Sequence, residues 1–287
     1  MPALPGLDRA ASSDAPALIL GEPGTGRSTL ARHLHRHSRR AAGPLVEVDP
    51  GAIPPSLFES ELFGHRAGAF TGAERALAGR VARAEGGTLL FDHVEELPLA
   101  AQPKLLRVVA ERRYAPLGGA EREADVRFLA IGPEDLATRV ERGAFRRDLF
   151  HRLEVLALRL PPLRERRSEM ATILGELLAD LAERFGRPHL GLSAPARSWM
   201  MQYSWPGNLR ELRNLLERAV VMGDAEELDP AAPSDLRGER PRKLREVEAD
   251  EIRRALAYTR GHQGEAARLL GISRKALWEK RRRLGIP

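Results

Sequence analysis

The segment that decides the fold is Ala17-Leu18-Ile19-Leu20-Gly21-Glu22-Pro23-Gly24-Thr25-Gly26-Arg27-Ser28-Thr29. A short apolar run, ALIL, ends in a glycine-rich turn, and the pattern then changes to the amphipathic helix begun by Leu30-Ala31-Arg32-His33-Leu34. GEPGTGRST fits the Gly-x-x-x-x-Gly-x-Ser skeleton of a phosphate loop, set after a strand and before a helix as that motif requires. Glycines let the backbone wrap an anion, the N–H groups at the helix start donate to it, and the helix dipole favours its charge. Gly21, Glu22, Pro23, Gly24, Thr25, Gly26, Arg27, Ser28 and Thr29 are therefore the expected cofactor-binding residues. The usual Lys is replaced by Arg27, which keeps the charge but is bulkier and fork-shaped. The bland alternative is an ordinary glycine-rich turn.

Two more apolar runs follow, Thr88-Leu89-Leu90-Phe91-Asp92 and Val126-Arg127-Phe128-Leu129-Ala130-Ile131, each flanked by helical or loop-like sequence. Strands alternating with helices indicate an α/β fold with a parallel sheet covered on both faces. Met170 to Phe185 has helical periodicity, and a further helix starting near Gly207-Asn208 carries Leu209, Leu212, Leu215, Leu216 and Val220 on one side. These form a helical lid. Asp224 to Glu246 turns acidic, Pro-containing and finally basic, which suits a linker. The expected organisation is an α/β subdomain at 1–160, a lid at 161–223, a linker at 224–246 and a small all-α helix-turn-helix domain at 247–287.

With 287 residues, 43% hydrophobic and 30% charged, the chain suffices for one large core and a smaller satellite. A net charge of +6 suits a polyanionic partner, although basic surfaces are often only solvated faces. Without cysteine, no disulfide framework or thiolate metal site is available, which fits the cytoplasm. No run approaches the roughly 18 apolar residues of a membrane span, and Met1 to Pro16 lacks the pattern of a signal peptide.

The C-terminal end localises the basic charge. Asp250 to Tyr258 reads as one helix and Glu265 to Leu270 as a second; Gly271-Ile272 forms a turn, and Ser273 to Leu284 a third helix, with Ser273 as its N-cap. Ala276, Leu277 and Leu284 are expected to face the core. Ser273, Arg274, Lys275, Trp278, Lys280, Arg281 and Arg282 are the expected DNA-contacting residues. Arg281, Arg282 and Arg283 cannot all reach bases, so most would bind phosphates. A solvated basic helix is the alternative.

ESELFGHRAGAFTGA, from Glu59 to Ala73, resembles the signature of the bacterial sigma-54-dependent activators, or enhancer-binding proteins. GGTLLFDHVEELPLAAQPKLLRVV, FRRDLFHRLEVLALRLPPLRERRSEM and WPGNLRELRN continue the similarity in the family's order, and ARLLGISR resembles its Fis-type DNA-binding domain. The resemblance runs from about Leu7 to the C-terminus and implies an AAA+ P-loop fold, ATP and Mg2+ as cofactors, and a homo-oligomeric or mixed ring. It implies sigma-54 RNA polymerase as partner, met by the loop Gly68, Ala69, Phe70, Thr71, Gly72 and Ala73, and an enhancer that is a palindromic DNA site. Physically, Phe70 is one large apolar side chain among flexible residues, poor core material, though it could also tuck back onto the body.

The resemblance also assigns roles in hydrolysis. Asp92 ends the Walker B strand and would hold Mg2+ through water. The next residue is normally a Glu that polarises the attacking water, and here it is His93. An imidazole accepts a proton near neutral pH, but its shape and charge differ from a carboxylate's. The sensor I Asn aligns with Pro133, and the Asn that holds the catalytic Glu aligns with Asp49. Arg146 and Arg152 match the candidate arginine fingers and Arg210 the sensor II arginine; alternatively, Arg146 and Arg152 pair with Asp148 or Glu154 on the surface. Of the family's segment that helps enclose the adenine, only LDRAASSDAPALIL is recognisable, so an incomplete base pocket or a start upstream of Met1 is expected. These departures raise a second expectation, a hydrolysis-deficient DNA-binding subunit that modulates an active partner or represses. An AAA+ chaperone or helicase would explain neither the Gly68–Ala73 loop nor the C-terminal domain.

Overall fold

The computed structural model describes residues 6–231, 248, 251–253, 255–256, 258–259 and 262–284. Much of the expected linker, and part of the expected first helix of the C-terminal domain, lie outside the described residues. The chain opens with α1 (Leu7–Ser12), β1 (Ala17–Gly21), α2 (Arg27–Arg36), β2 (Leu45–Val48), α3 (Pro55–Phe63) and the hairpin β3 (Gly64–His65) and β4 (Leu77–Ala78). It continues through α4 (Arg80–Arg83), β5 (Thr88–Phe91), α5 (Gln102–Glu111), the hairpin β6 (Arg113–Tyr114) and β7 (Arg122–Glu123), and β8 (Arg127–Gly132). Then come α6 (Leu136–Glu141), α7 (Arg147–Leu153) and β9 (Leu156–Leu160).

Five strands form a parallel sheet in the order β2-β5-β8-β1-β9. β1 lies between β8 and β9, with Ala17 beside Leu129 on one flank and Leu156 on the other. All five of its residues are buried, which is why ALIL reads as a continuous apolar run without alternation. Leu18 and Leu20 point to a core shared with Phe91, Phe128 and Leu149, while Ala17 and Ile19 point to a second core with Leu30, Ala31 and Leu34 of α2. Helices thus cover both faces. The buried Arg127 guanidinium donates to Ala11 O at 2.8 Å and Ala10 O at 2.6 Å, satisfying the last carbonyls of α1 and fastening that helix to the sheet.

The lid comprises α8 (Met170–Phe185), β10 (Gly191–Leu192), α9 (Ala194–Gln202), α10 (Asn208–Met222) and β11 (Glu227–Leu228). Trp205 is its largest buried side chain; it meets the Tyr203 ring edge to face and donates Nε1–H to Met200 O at 3.0 Å. α8 and α10 run side by side in the same direction, tied by Arg213 to Asp180 at 2.8 Å and Arg184 to Glu217 at 2.9 Å, and just past the end of α8 Arg187 donates to Val220 O at 3.0 Å.

The chain divides into two compact units, Met1–Pro230 and Ala231–Pro287. In the second, helices at Gln263–Leu269 and Arg274–Leu284 enclose a small core of Ile252, Ala255, Ala266, Ala267 and Leu277. Gly271 sits at φ +66° in the connecting turn, and Ser273 Oγ accepts from Ala276 N at 3.1 Å, the N-cap bond that releases the third helix from the turn. Leu277 is fully buried, whereas Ala276 and Leu284 are half-buried.

Candidate nucleotide site and partner-contact elements

The strand order brings the ends of β1, β5 and β8 side by side, so the loop after β1 faces the residues that follow β5 and β8. Gly24 and Gly26 take φ of +81° and +100°, backbone that favours glycine. A Cβ on Gly24 would stand 2.4 Å from Gly207 O, and Leu209 N donates to Gly24 O at 2.9 Å. The first turn of α10 therefore rests directly on the phosphate loop. Glu22 completes the joint: it accepts from both Arg164 guanidinium nitrogens at 2.9 and 2.7 Å and from Asn208 Nδ2 at 3.1 Å. These donors hold its carboxyl below the ordinary range, with Arg164 the larger cause.

A cleft of about 540 Å³ opens between loop and lid, with Gly24 to Thr29, Asp92 and His93 on one side and Arg166, Ile173, Leu177 and Arg210 on the other. Ser28 Oγ donates to Asp92 Oδ2 at 3.1 Å. A hydroxyl and a carboxylate oxygen this close, beside the phosphate loop, are hard-oxygen donors of the kind that suits a Mg2+–phosphate pair. Arg27 also lines the cleft, but one of its nitrogens is taken by the backbone. Its Nη1 donates to Gly21 O at 2.9 Å and Gly132 O at 2.5 Å, so the guanidinium ties the phosphate loop to the end of β8. The side chain is buried, and burial lowers its pKa.

His93 has φ +58°, which turns its side chain out beside the cleft. Its Nδ1 lies 3.6 Å from Asp49 Oδ1 and 3.9 Å from Asp92 Oδ1. The imidazole is thus bracketed by two carboxylates. Pro133 follows β8 and offers no side-chain donor beside Gly132. Arg210 lines the cleft; Arg146 and Arg152 do not. Arg146 binds Asp148 through two bonds, 3.0 and 2.7 Å, and Arg152 is exposed.

Two residues, one next to the site and one in its wall, escape sequence reasoning. Glu95 lies just beyond His93 with one carboxyl oxygen buried and without a partner, and burial pushes its pKa up. Arg166 sits on the lid wall, 4% exposed. Glu95 belongs to an acidic turn and Arg166 to the charge run RERRSE, both of which read as solvated surface.

The Gly68–Ala73 segment is the far end of the β3–β4 hairpin. Gly68 N donates to Ala73 O at 2.7 Å and Ala73 N to Phe70 O at 3.0 Å, closing the loop on itself. Gly68 and Gly72 have φ of +79° and +99°, with open space where a Cβ would stand. Phe70 is 41% exposed, and its ring meets that of His65 edge to face with the centroids 5.0 Å apart. His65 Nδ1 in turn lies 2.8 Å from Ser60 Oγ. Ala69 and Thr71 share this exposed loop, while Ala73 is buried at its base.

On the Arg274–Leu284 helix, Arg274, Lys275, Trp278 and Arg282 are exposed and Arg281 half-buried, and Arg282 lies over the Trp278 ring at 5.6 Å. Lys280 is drawn instead to Glu248, which also accepts from Arg283 at 2.8 Å.

A parallel sheet with a glycine loop at the end of its buried strand, closed by a helical lid, defines a AAA+ P-loop module. Residues 3–159 match the sigma-54 interaction domain, 164–249 the AAA+ ATPase lid domain and 243–284 the Fis family of bacterial regulatory proteins. The chain belongs to the sigma-54 interaction domain family. It is 42% identical over 283 residues to the C4-dicarboxylate transport transcriptional regulatory protein DctD of Rhizobium meliloti, covering 98% of this chain and 61% of that one. It is 42% identical over 297 residues to the regulatory protein AtoC of Escherichia coli, covering 96% and 64%. NtrX from Brucella abortus superposes with a TM-score of 0.74 at 31% identity, over 97% of this chain and 66% of that one, and a structure of NtrX in complex with ATP gives 0.73. The chain spans less than two thirds of the length of these curated relatives.

Proposed function

We propose that this chain is a cytoplasmic, ring-forming transcription regulator that binds ATP in the loop–lid cleft and enhancer DNA through its C-terminal helices. It contacts sigma-54 RNA polymerase through Phe70 and Thr71. The observation that carries this reading is the exposed Phe70 on a self-closed hairpin tip, in a chain that also has a phosphate loop and a Fis-type helix pair. Gly24 to Thr29 wrap the phosphates, Ser28 and Asp92 hold Mg2+, and Arg210 reaches the nucleotide from the lid. Mg2+ neutralises charge on the phosphates when bound. Arg146 and Arg152, outside the chain's own cleft, act on a neighbouring subunit's nucleotide.

Turnover is slow. His93 stands where a carboxylate would polarise the water, Pro133 has no donor, and Arg27 is engaged by backbone carbonyls. Losing a positioned base alone costs about a hundredfold to ten-thousandfold in rate. These features favour a second reading, a hydrolysis-deficient DNA-binding subunit that lends Arg146 and Arg152 to an active partner or represses.

One experiment separates the readings: nucleotide binding and hydrolysis measured on one preparation, followed by open-complex formation with sigma-54 polymerase. Activity of the chain alone, lost in Phe70→Ala, supports the activator. Stimulation or inhibition only when mixed with an active relative supports the second reading. Turnover near about 1 per second or faster overturns the assignment of slow hydrolysis.

A further inference from the structure

Arg166 lies between two 3-10 turns, Leu163–Glu165 and Arg167–Glu169, in the link from β9 to α8. Its side chain is 4% exposed, yet its only ion pair among the described residues is Nη2 to Glu169 Oε2 at 3.0 Å, and its Nε is buried without an acceptor. Arginine is seldom buried so deeply unless its donors are matched, and each unmatched group calls for an explanation. Glu169 is a weak anchor, being 35% exposed. The Arg166 side chain lines the loop–lid cleft, on the wall that also carries Ile173 and Leu177. Across the cleft, Arg27 of the phosphate loop has its Nη1 committed to Gly21 O and Gly132 O.

We propose that Arg166 is a nucleotide-binding residue of the lid. On occupancy its guanidinium leaves Glu169 and donates to acceptors of the bound nucleotide, adding donors opposite Arg27, whose Nη1 is committed to backbone carbonyls. The exchange is felt by the lid, because Glu169 precedes α8 directly and its N–H donates to Arg166 O at 2.9 Å. This rests on the cleft being the nucleotide site.

The test is equilibrium binding of ATP, ADP and adenosine to the full chain, with Arg166→Ala, Arg166→Lys and Glu169→Gln. Loss of a charged donor is expected to weaken ATP binding roughly ten- to a hundredfold in Arg166→Ala. Glu169→Gln removes the competing carboxylate and is expected to tighten binding severalfold, whereas a purely structural ion pair would make both variants bind worse. Arg166→Lys, which keeps charge but loses the fork, serves if the alanine variant does not fold, and falls between. A loss seen with ATP and ADP but not adenosine places the contact on the phosphates, and an equal loss with adenosine places it on the nucleoside. Both support the proposal. If the unsubstituted chain binds ATP and Arg166→Ala binds equally well, or if Glu169→Gln weakens binding, this inference falls alone. If the unsubstituted chain binds no nucleotide, the proposed function falls with it.

Discussion

A buried arginine that serves carbonyls rather than a carboxylate is a structural member, and Arg27 is one. Removing it in Arg27→Ala leaves Gly21 O and Gly132 O without their donor, at about 1–3 kcal/mol. Urea denaturation is expected to show that loss with no nucleotide present, and an unchanged midpoint would rule out the strut. Glu95 has the opposite character, a carboxyl that burial makes reluctant to ionise. Its folded pKa lies above the unfolded one, so the folded chain binds the proton more tightly. Stability therefore falls as pH rises from the ordinary carboxylate range through the folded value. Glu95→Gln is expected to be more stable than the parent at pH 7 and indistinguishable below about pH 4, measured by denaturation across that range. Neither behaviour is legible in the sequence. Motif spacing placed Arg27 at the phosphate loop, but the carbonyls that capture its side chain come from residues 6 and 105 positions away.

Among the elements, the joint between phosphate loop and lid is the most tightly specified. Gly24→Ala would demand φ +81° of an alanine, about 1–2 kcal/mol, and would also drive its Cβ into Gly207 O. Hydrogen exchange is expected to rise in both Gly21–Gly26 and the first turn of α10, with nucleotide binding lost. Phe70→Ala is expected to do the reverse: stability within about 0.5 kcal/mol of the parent, because the ring is 41% exposed and its one aromatic neighbour is His65 of the same hairpin, but loss of sigma-54 contact in a pull-down assay. Strands with two buried faces were legible as apolar runs, as ALIL and TLLF show. β2 and β9 were not, because they are sheet edges whose LVEV and LALRL mix exposed and covered positions over too few residues. The candidate site was legible where a motif fixes it, at Gly24, Gly26 and Asp92, and hidden at Arg166, whose burial the charge run RERRSE does not announce.

At the scale of the whole molecule, two units of unequal core share one chain. The second rests on Ile252, Leu277 and three alanines, a small core for a unit of under about 60 residues. Guanidinium denaturation is expected to give two transitions, the earlier one belonging to this unit and moving to higher denaturant with protein concentration if it pairs with a second copy. Its DNA affinity is expected to fall steeply with salt, and Arg282→Ala to reduce the slope of log affinity against log salt by about 1.

The same-direction pairing of α8 and α10, latched at three successive levels, makes the pair a stiff lever arm with its fulcrum at Gly24. At about 1.5 Å per residue, the 15 residues of α10 reach roughly 22 Å from that pivot. A tilt of about 5° at the pivot would swing Met222 by about 2 Å over that length. Small changes under the loop are thus magnified where the backbone leaves α10.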